Sequence, residues 1–358
     1  MALTIRQSRR LRTSGLLISA GIVLALIYTL LSDGLSELFP YINAVIIGFL
    51  LALLISYVEQ YVFTGSFRRL KFLTSMFIRT VVYLSLIPLI IFLVLVLARM
   101  ARDDRNFYEV WASEEFQYYL FEQDFLVGIV YALAIAFTVN FILQMSRKMG
   151  QGVLWSFITG RYYKPVQKEF IFMFLRIKHS DQIAKKIGRL KFHKFLNDFI
   201  FDITETILVH QGQIHQYVED EIVVFWNVKN GLNNANCIRT FFDAKKCLHE
   251  QREKYYLKYE VVPQIQAAYH CGQVVQGEIG AVKSEISFYG DVMNTSSRIL
   301  DHCTELDKEL LLSAHLMYRM ELPAIYESVV CGKIELKGKS KPLELFSIEE
   351  IIMHPTKI

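Results

Sequence analysis

Four long apolar stretches fill the first 145 residues of the chain, and each approaches the roughly 20 residues that an α-helix needs to cross a bilayer. None contains a lysine, and Glu59 and Arg79 are their only charged residues. A set of buried core helices is the alternative, but four almost uncharged stretches in succession are rare in soluble proteins. We therefore predict a transmembrane domain at residues 1–145, with spans at about 14–32, 44–62, 76–98 and 125–145.

Charge in the connections predicts the orientation of these spans, because Lys and Arg collect in cytoplasmic loops. The two remaining connections are mainly acidic. Basic residues precede the first span, separate the second from the third and follow the fourth: Arg6, Arg9, Arg10, Arg12, Arg68, Arg69, Lys71, Arg147 and Lys148. The pattern predicts a multi-pass protein of the cell inner (plasma) membrane, in contact with the lipid bilayer and with both termini in the cytoplasm.

The chain as a whole is 53% hydrophobic, and most of its excess of apolar residues lies before residue 146. Beyond the fourth span the composition is charged and mixed. Gly160, two tyrosines and Pro165 interrupt any continuous helix in residues 146–168. We interpret this segment as a connector, which either transmits movement of the spans or is a plain tether. A globular cytoplasmic domain is predicted at 169–350, followed by a tail at 351–358.

The globular part has patterns of strands and helices in the order β-α-α-β-β-α-β-β-α-β, with the fourth and fifth strands near 264–270 and 274–279. Its first strand, Phe170 to Ile177, is almost unbroken in apolar residues, which is typical of a strand covered on both faces. Two alternating runs, 213–218 and 221–226, flank Glu219 and Asp220 and predict a hairpin with a two-residue turn. The prediction is an α+β fold with a mixed sheet and packed helices.

Further polar residues stand out later in the chain. Asn294 and Arg298 are four residues apart on a predicted helix and therefore share one face. Lys337 precedes a glycine. Each feature has an ordinary explanation, because exposed helix faces carry such polar pairs and an aspartate in a turn, such as Asp220, is common turn chemistry.

Taken together, Asp220, the run Gly290-Asp291-Val292-Met293-Asn294 with Arg298, and Lys337 resemble the motifs of the class III nucleotidyl cyclases. This is the family of adenylyl and guanylyl cyclases, and the layout of four spans before the domain resembles its membrane-bound bacterial type. The resemblance covers about half of the chain. It implies a ferredoxin-like sheet core and a lyase that makes cyclic nucleotides in signal transduction.

The resemblance also implies roles for individual residues. Asn294 would orient the ribose and Arg298 would stabilise the charged phosphoryl transition state, which makes them the catalytic candidates. Lys337 would contact the terminal phosphates of the nucleoside triphosphate. Asp220 would bind Mg²⁺ or Mn²⁺ in a two-metal site. In the family, the metal aspartates of one chain act with the Asn and Arg of another, so a homodimer or a heterodimer is expected.

The chain departs from the family at Arg176, where relatives carry the first metal-binding aspartate. Arg176 lies 44 residues before Asp220, as the family register predicts. An arginine cannot bind a metal ion, so the two-metal site is degraded in this chain. We expect the guanidinium to pair with Asp220 instead, and Asp181 is an alternative source of a second carboxylate.

The sequence leaves the nucleotide base open. Gln216 and Ser287 occupy the two positions that choose the base in the family, and both can donate or accept hydrogen bonds. Adenine and guanine therefore both fit, pyrimidines remain open, and ATP is favoured as the substrate. No nucleic-acid partner is predicted.

Three hypotheses about function remain open at this point. The chain is an active cyclase that tolerates Arg176, or a subunit that is inactive as a homodimer and lends Asn294, Arg298 and Lys337 to a partner with intact aspartates. The third alternative is a catalytically dead receptor or a nucleotide-binding regulatory subunit.

Overall fold

The computed structural model of the chain divides into two compact units, Met1–Lys148 and Met149–Ile358. Regular structure in the described part of the first unit is helical, and the second contains a β-sheet with helices packed on it. The structure describes residues 5–35, 38–63, 71–121, 124–149, 153, 156, 159–160, 163–280, 282, 284–335 and 342–351.

The first unit contains four helices that are long and apolar enough to cross a membrane, covering 11–33, 38–62, 72–103 and 125–146. Many of their large apolar side chains point outward, as expected for surfaces that face lipid. Two short helices connect the third to the fourth. The helices are α1 (Ile5–Asp33), α2 (Leu38–Tyr57), α3 (Phe72–Asp103), α4 (Phe107–Ala112), α5 (Glu114–Phe121) and α6 (Asp124–Met149), and α2 continues as a π-helix at Val58–Val62.

Small residues let α1 and α2 approach each other closely. A Cβ atom added to Gly21 would lie 2.7 Å from Cβ of Ala52 and 2.9 Å from the carbonyl oxygen of Gly48. A Cβ added to Gly48 would in turn lie 2.9 Å from Cβ of Ala25. Each helix thus presents a glycine and an alanine four residues apart, the small-residue spacing at which apolar helices pack in membranes.

A buried polar network joins the second, third and fourth of these long helices. Glu59 lies in the π-helix with its carboxylate 3.3 Å from Nε of Arg79 on α3, and both side chains are almost fully buried. The hydroxyl of Tyr83 donates to the same carboxylate at 3.2 Å. Arg79 Nη1 and Gln144 Nε2 both donate to Oδ1 of Asn140 on α6, at 3.1 and 3.0 Å. A charge pair is therefore held inside the helical unit by side chains from three helices.

The second unit alternates strands and helices along the chain. Its elements are β1 (Val166–Ile177), α7 (Ser180–Ile187), α8 (Arg189–Val209), β2 (Gln213–Val218), β3 (Glu221–Asn227), α9 (Val228–Leu232), α10 (Asn236–Glu250), α11 (Arg252–Tyr259), β4 (Ile265–Ile279), β5 (Glu285–Tyr289), α12 (Asp291–Glu305), β6 (Leu310–Ser313), α13 (Ala314–Met317), β7 (Tyr326–Ile334) and β8 (Leu343–Glu350).

The strands form one sheet in the order β2-β3-β1-β4-β6-β8-β7, and β5 pairs with β4 outside this path. The sheet is mixed, because β6 runs parallel to β4 while the other pairs are antiparallel. The predicted α+β fold with a mixed sheet and packed helices is confirmed.

Strand β1 lies in the middle of the sheet and is covered on both faces, as its apolar run predicts. Its odd-numbered side chains, such as Ile171 and Met173, pack in a core with α8, α10 and α11. Its even-numbered side chains, such as Phe172 and Phe174, pack in a second core with Phe288 of β5 and with α12. Side chains of a strand alternate between faces, so residue parity along β1 decides which helices a side chain meets.

Candidate active site

Arg176 lies near the end of β1, opposite Glu221 of β3 and Gln266 of β4. Its guanidinium does not pair with Asp220, so that prediction is wrong. Nη1 donates to Oδ1 of Asp301 at 3.1 Å, and Nη2 donates to the carbonyl oxygen of Leu300 at 3.0 Å and to the hydroxyl of Thr304 at 3.1 Å. All three acceptors belong to α12.

Parity along β1 explains this partner. Arg176 has an even number, so its side chain points to the same face as Phe172 and Phe174, where α12 packs. The acceptors lie toward the C-terminal end of α12, where the helix dipole favours a cation. Only 19% of the Arg176 side chain is exposed, so the guanidinium is largely enclosed by these contacts.

Asp220 lies in the two-residue turn between β2 and β3, as the sequence predicts, because Val218 and Glu221 form the last strand pair before it. The neighbouring Glu219 has a φ of +54°, in the left-handed region that favours glycine. Glu221 follows directly, and burial together with the nearby carboxylates of Asp220, Asp301 and Glu219 raises its pKa, against the lowering effect of Arg176. The turn and the first residue of β3 therefore form a run of three consecutive acidic residues.

Helix α12 carries the pair Asn294 and Arg298. Its apolar side is buried against the sheet, as shown by Val292, Ile299 and Leu300. Asn294 is exposed and Arg298 is partly exposed, and their spacing of four puts them on one face of the helix. The site predicted from the sequence thus draws on two elements: the strand end and turn with Arg176 and Asp220, and α12 with Asn294 and Arg298. The contacts of Arg176 join the two.

The two positions predicted to choose the base lie on strands that come into contact. Gln216 is exposed on β2, just after an irregularity in the pairing of that strand, and Ser287 is partly exposed on β5 opposite Gly277. The residues next to them in sequence are in contact, because the His215 ring stacks edge-on against Phe288 with centroids 4.9 Å apart. Sequence reasoning missed His215, and the signal that could have revealed it is its position inside an alternating strand.

Burial lowers the pKa of the His215 imidazole, although Glu285 acts in the opposite direction. The ring is therefore favoured in its neutral form, in which it packs against Phe225 as well as Phe288. His215 thus belongs to the apolar support beneath these two strands. Lys337, the third predicted substrate-binding residue, lies outside the described residues, and its role stays a prediction.

The residues at the family's metal position do not fit a two-metal site. Two hard cations need oxygen ligands, ideally paired carboxylates. Arg176 brings a fixed positive charge to that position and is engaged by α12, while Asp220 lies in the adjacent turn. Asp181 is exposed in the first turn of α7, and its role as a substitute ligand stays a prediction.

One other cluster of metal-ligand side chains occurs in the part of the chain that the structure describes. The ligand atoms of Glu169, Cys271 and His315 lie within 4.8 Å of one another. Arg319 already forms a two-pronged ion pair with Glu169, and its hydrogen bonds hold the pKa of that carboxyl below its ordinary value. Burial raises the pKa of the Cys271 thiol to about 11. The cluster is therefore explained by the arginine, and we assign no metal to it.

An α+β domain with an acidic hairpin turn beside the central strand and an Asn-Arg helix face is the architecture of a nucleotidyl cyclase domain. Comparison with protein-family models gives the same result, because residues 162–350 match the adenylate and guanylate cyclase catalytic domain. This match covers more than half of the chain. The protein belongs to the adenylate and guanylate cyclase family.

Individual relatives agree with this assignment. The chain is 33% identical over 220 residues to adenylate cyclase 2 of Rhizobium meliloti (strain 1021), a match that covers 62% of this chain and 61% of the relative. Two solved structures of a bacterial light-regulated adenylyl cyclase share the fold with a TM-score of 0.50 at 18% and 16% identity. They cover 60% and 64% of this chain, and 64% and 67% of their own chains.

Proposed function

We propose that this chain is a membrane-anchored cyclase subunit that takes part in converting a nucleoside triphosphate to a 3′,5′-cyclic nucleotide and pyrophosphate. It does so as one half of a heterodimer, in signal transduction. The observation that carries the proposal is the engagement of Arg176 with α12, because an arginine held there does not act as the first metal ligand, while Asn294 on the same helix stays exposed.

The division of labour follows from the chemistry of cyclisation. A partner with both metal aspartates would hold the Mg²⁺ or Mn²⁺ pair, because hard cations need those carboxylates. This chain would supply the α12 face, on which Asn294 orients the ribose and Arg298 stabilises charge on the transferring phosphoryl group. Lys337 would contact the terminal phosphates. Each chain thus contributes what the other lacks.

We propose ATP as the substrate. The relative of 33% identity is called an adenylate cyclase, which supports adenine. Gln216 and Ser287 are compatible with this choice, since an amide and a hydroxyl can both donate to and accept from the adenine edge.

The test is a cyclisation assay with the full chain in detergent or nanodiscs. The chain is incubated with each of the four nucleoside triphosphates and Mg²⁺ or Mn²⁺, alone and together with a family cyclase whose own Asn and Arg have been changed to alanine. We expect cyclic product, strongest with ATP, only in the mixture. We expect Asn294→Ala and Arg298→Ala in this chain to lower it by about 100-fold each.

The possible results separate the hypotheses. Product from the chain alone would show a homodimer that tolerates Arg176 and would overturn the heterodimer proposal. Nucleotide binding without product in any mixture would identify the chain as a nucleotide-binding regulatory subunit instead.

We also propose that the four apolar helices cross the inner membrane with both termini in the cytoplasm. The acidic connections at Asp33 and Glu109 would then lie outside, and the basic ends inside. All five natural cysteines lie beyond residue 236, so single cysteines can be introduced at these connections. In intact cells, a membrane-impermeant thiol reagent should label a cysteine at position 109 but not one at position 71. The reverse pattern would overturn this topology.

A further inference from the structure

The contacts of Arg176 are made to the same helix face that carries Asn294 and Arg298. Asn294, Arg298 and Asp301 follow one another at spacings of four and three residues, so they form one stripe along α12. Arg176 binds Asp301, the last of the three, and also binds the backbone of Leu300. Because Arg176 belongs to β1 and is bonded to one end of this stripe, it restrains the rotation of α12 about the helix axis.

We propose that Arg176 is a positioning residue, which fixes the orientation of α12 and thereby presents Asn294 and Arg298 to the partner's half of the site. The inference rests on the proposed function. In relatives, the side chain at this position binds metal. In this chain, Arg176 at the same position holds α12, the helix that the chain contributes to the shared site.

The contacts around Arg176 extend to a second strand. The hydroxyl of Thr304, which accepts from Arg176, donates to Oε1 of Gln266 at 3.2 Å. Gln266 is almost fully buried on β4 and is the direct register neighbour of Arg176. Its Nε2 donates to the carbonyl oxygen of Lys308, just beyond α12, at 3.3 Å. The C-terminal end of α12 is therefore fastened to both central strands by a chain of hydrogen bonds.

Loss of the guanidinium would change the charge on the stripe as well as the contacts. Asp301 would lose its partner on β1, while Arg298 lies one turn earlier on the same face, at a spacing that allows a helical ion pair. The Asp301 carboxylate would then act on Arg298 without the compensating positive charge of Arg176. Arg176 thus offsets the charge of the carboxylate that lies one turn from Arg298 on the stripe.

A plain surface ion pair is the competing explanation, because Asp301 is 67% exposed and exposed pairs contribute little. The chain offers a matched control for it. Lys178, two residues further along, pairs with Asp307 just past the end of α12 at 3.2 Å, and Asp307 is 90% exposed. Lys178→Met removes a cation from the same strand end without touching the stripe.

The experiment compares Arg176→Met, Arg176→Lys and Asp301→Asn with Lys178→Met in the full chain. Hydrogen exchange of the α12 amides is measured first, without a partner. Product formation is then measured in the mixture with the family cyclase that lacks its own Asn and Arg, and kcat is separated from KM.

We expect Arg176→Met and Asp301→Asn to speed exchange across residues 294–304 and to lower kcat by about tenfold or more, with a smaller effect on KM. Arg176→Lys, which keeps the charge but loses the fork of donors, should recover part of both. Lys178→Met should behave as wild type. If Arg176→Met matches Lys178→Met in both readouts, the proposal is overturned.

The two readouts also separate this inference from the proposed function. Faster α12 exchange in Arg176→Met and Asp301→Asn, with no product from wild type in any mixture, would support the positioning role and remove the heterodimer. If wild type forms product in the mixture and Arg176→Met and Asp301→Asn form as much, the heterodimer is supported and the positioning role is overturned.

Discussion

Glu219 occupies the left-handed backbone region at the first position of the β2–β3 turn. A residue with a side chain in this region destabilises the folded chain by roughly 1–2 kcal/mol. Glycine avoids this strain, but it loses more conformational entropy on folding, which offsets part of the gain. We expect Glu219→Gly to stabilise the hairpin by about 0.5–1 kcal/mol, measured as slower hydrogen exchange of the β2 and β3 amides. Glu219→Ala removes the same carboxylate but keeps Cβ, so equal effects of the two variants would contradict a backbone origin.

Glu221 predicts a dependence of stability on pH. Its pKa is raised in the folded chain, chiefly by burial, so the folded state binds more protons than the unfolded state between the ordinary value of 4.5 and the raised value. Its contribution to stability is therefore lost as the pH rises through this interval. We expect Glu221→Gln to be more stable than wild type at pH 7 and to lose that advantage below about pH 4.

Hydrogen exchange of β1 and β3 across this pH range measures the effect. Glu219→Gln changes the net charge equally at the exposed side of the same turn and serves as the control. An advantage of Glu221→Gln that does not change with pH would show that packing, and not ionisation, is responsible.

At this scale the sequence indicated which residues matter but not what they touch. Arg176 and Asp220 lie where the spacing places them, yet Arg176 binds α12. Alternation along β1 places Arg176 on the face that the even-numbered residues share, and α12 covers that face. The strand sequence alone does not say which helix covers which face. That assignment depends on the whole sheet order.

At the scale of secondary-structure elements, the packing of α1 against α2 requires small residues at the contact. Gly21 has no room for a side chain, since an added Cβ would meet Ala52 and Gly48, whereas Gly15 on the same helix has nothing within 4 Å. We expect Gly21→Leu to destabilise the helical unit by about 1–3 kcal/mol and Gly15→Leu to have little effect. Thermal unfolding in detergent micelles measures both. Equal midpoints would show that the two helices do not pack through these glycines.

The sheet shows where prediction of elements failed. Two strands were predicted near 264–270 and 274–279, but β4 continues without interruption through Gly272. A Cβ at this position would lie 2.8 Å from Val292, so glycine here makes room for α12 and does not end the strand. Strand β5 was missed, although Ile286 and Phe288 alternate with Glu285 and Ser287 as in a half-buried strand.

At the scale of the whole molecule, the stability of the helical unit depends on both members of the buried ion pair of Glu59 and Arg79. Removing one member of a buried ion pair leaves an uncompensated charge and costs about 3–5 kcal/mol. We therefore expect Glu59→Gln and Arg79→Met to destabilise the unit strongly on their own, and the double variant to recover much of the loss. Thermal unfolding in detergent, analysed as a double-mutant cycle, measures the coupling.

The pair of Arg102 and Asp103 is a suitable control, because both side chains are exposed and 3.9 Å apart. Neutralising it should change stability by less than about 1 kcal/mol. If Glu59 and Arg79 behave like this exposed pair, the network does not hold the three helices together.

The composition predicts a change from apolar stretches to a charged remainder near residue 146, and the boundary between the two compact units falls in the sequence between Lys148 and Met149. The polar network did not follow from the sequence. Glu59 and Arg79 lie near the ends of their spans, where charges ordinarily reach the headgroups, and only the packing of α2, α3 and α6 brings them together.

The contacts of Arg176 with α12 imply that positions 176 and 301 depend on each other. Arg176→Asp, which restores the residue that relatives carry at this position, would place a carboxylate beside Glu221 and Asp301 in place of the guanidinium. Relatives that share the arginine should therefore also keep a hydrogen-bond acceptor at the position of Asp301, and relatives with aspartate at position 176 should be free of that requirement.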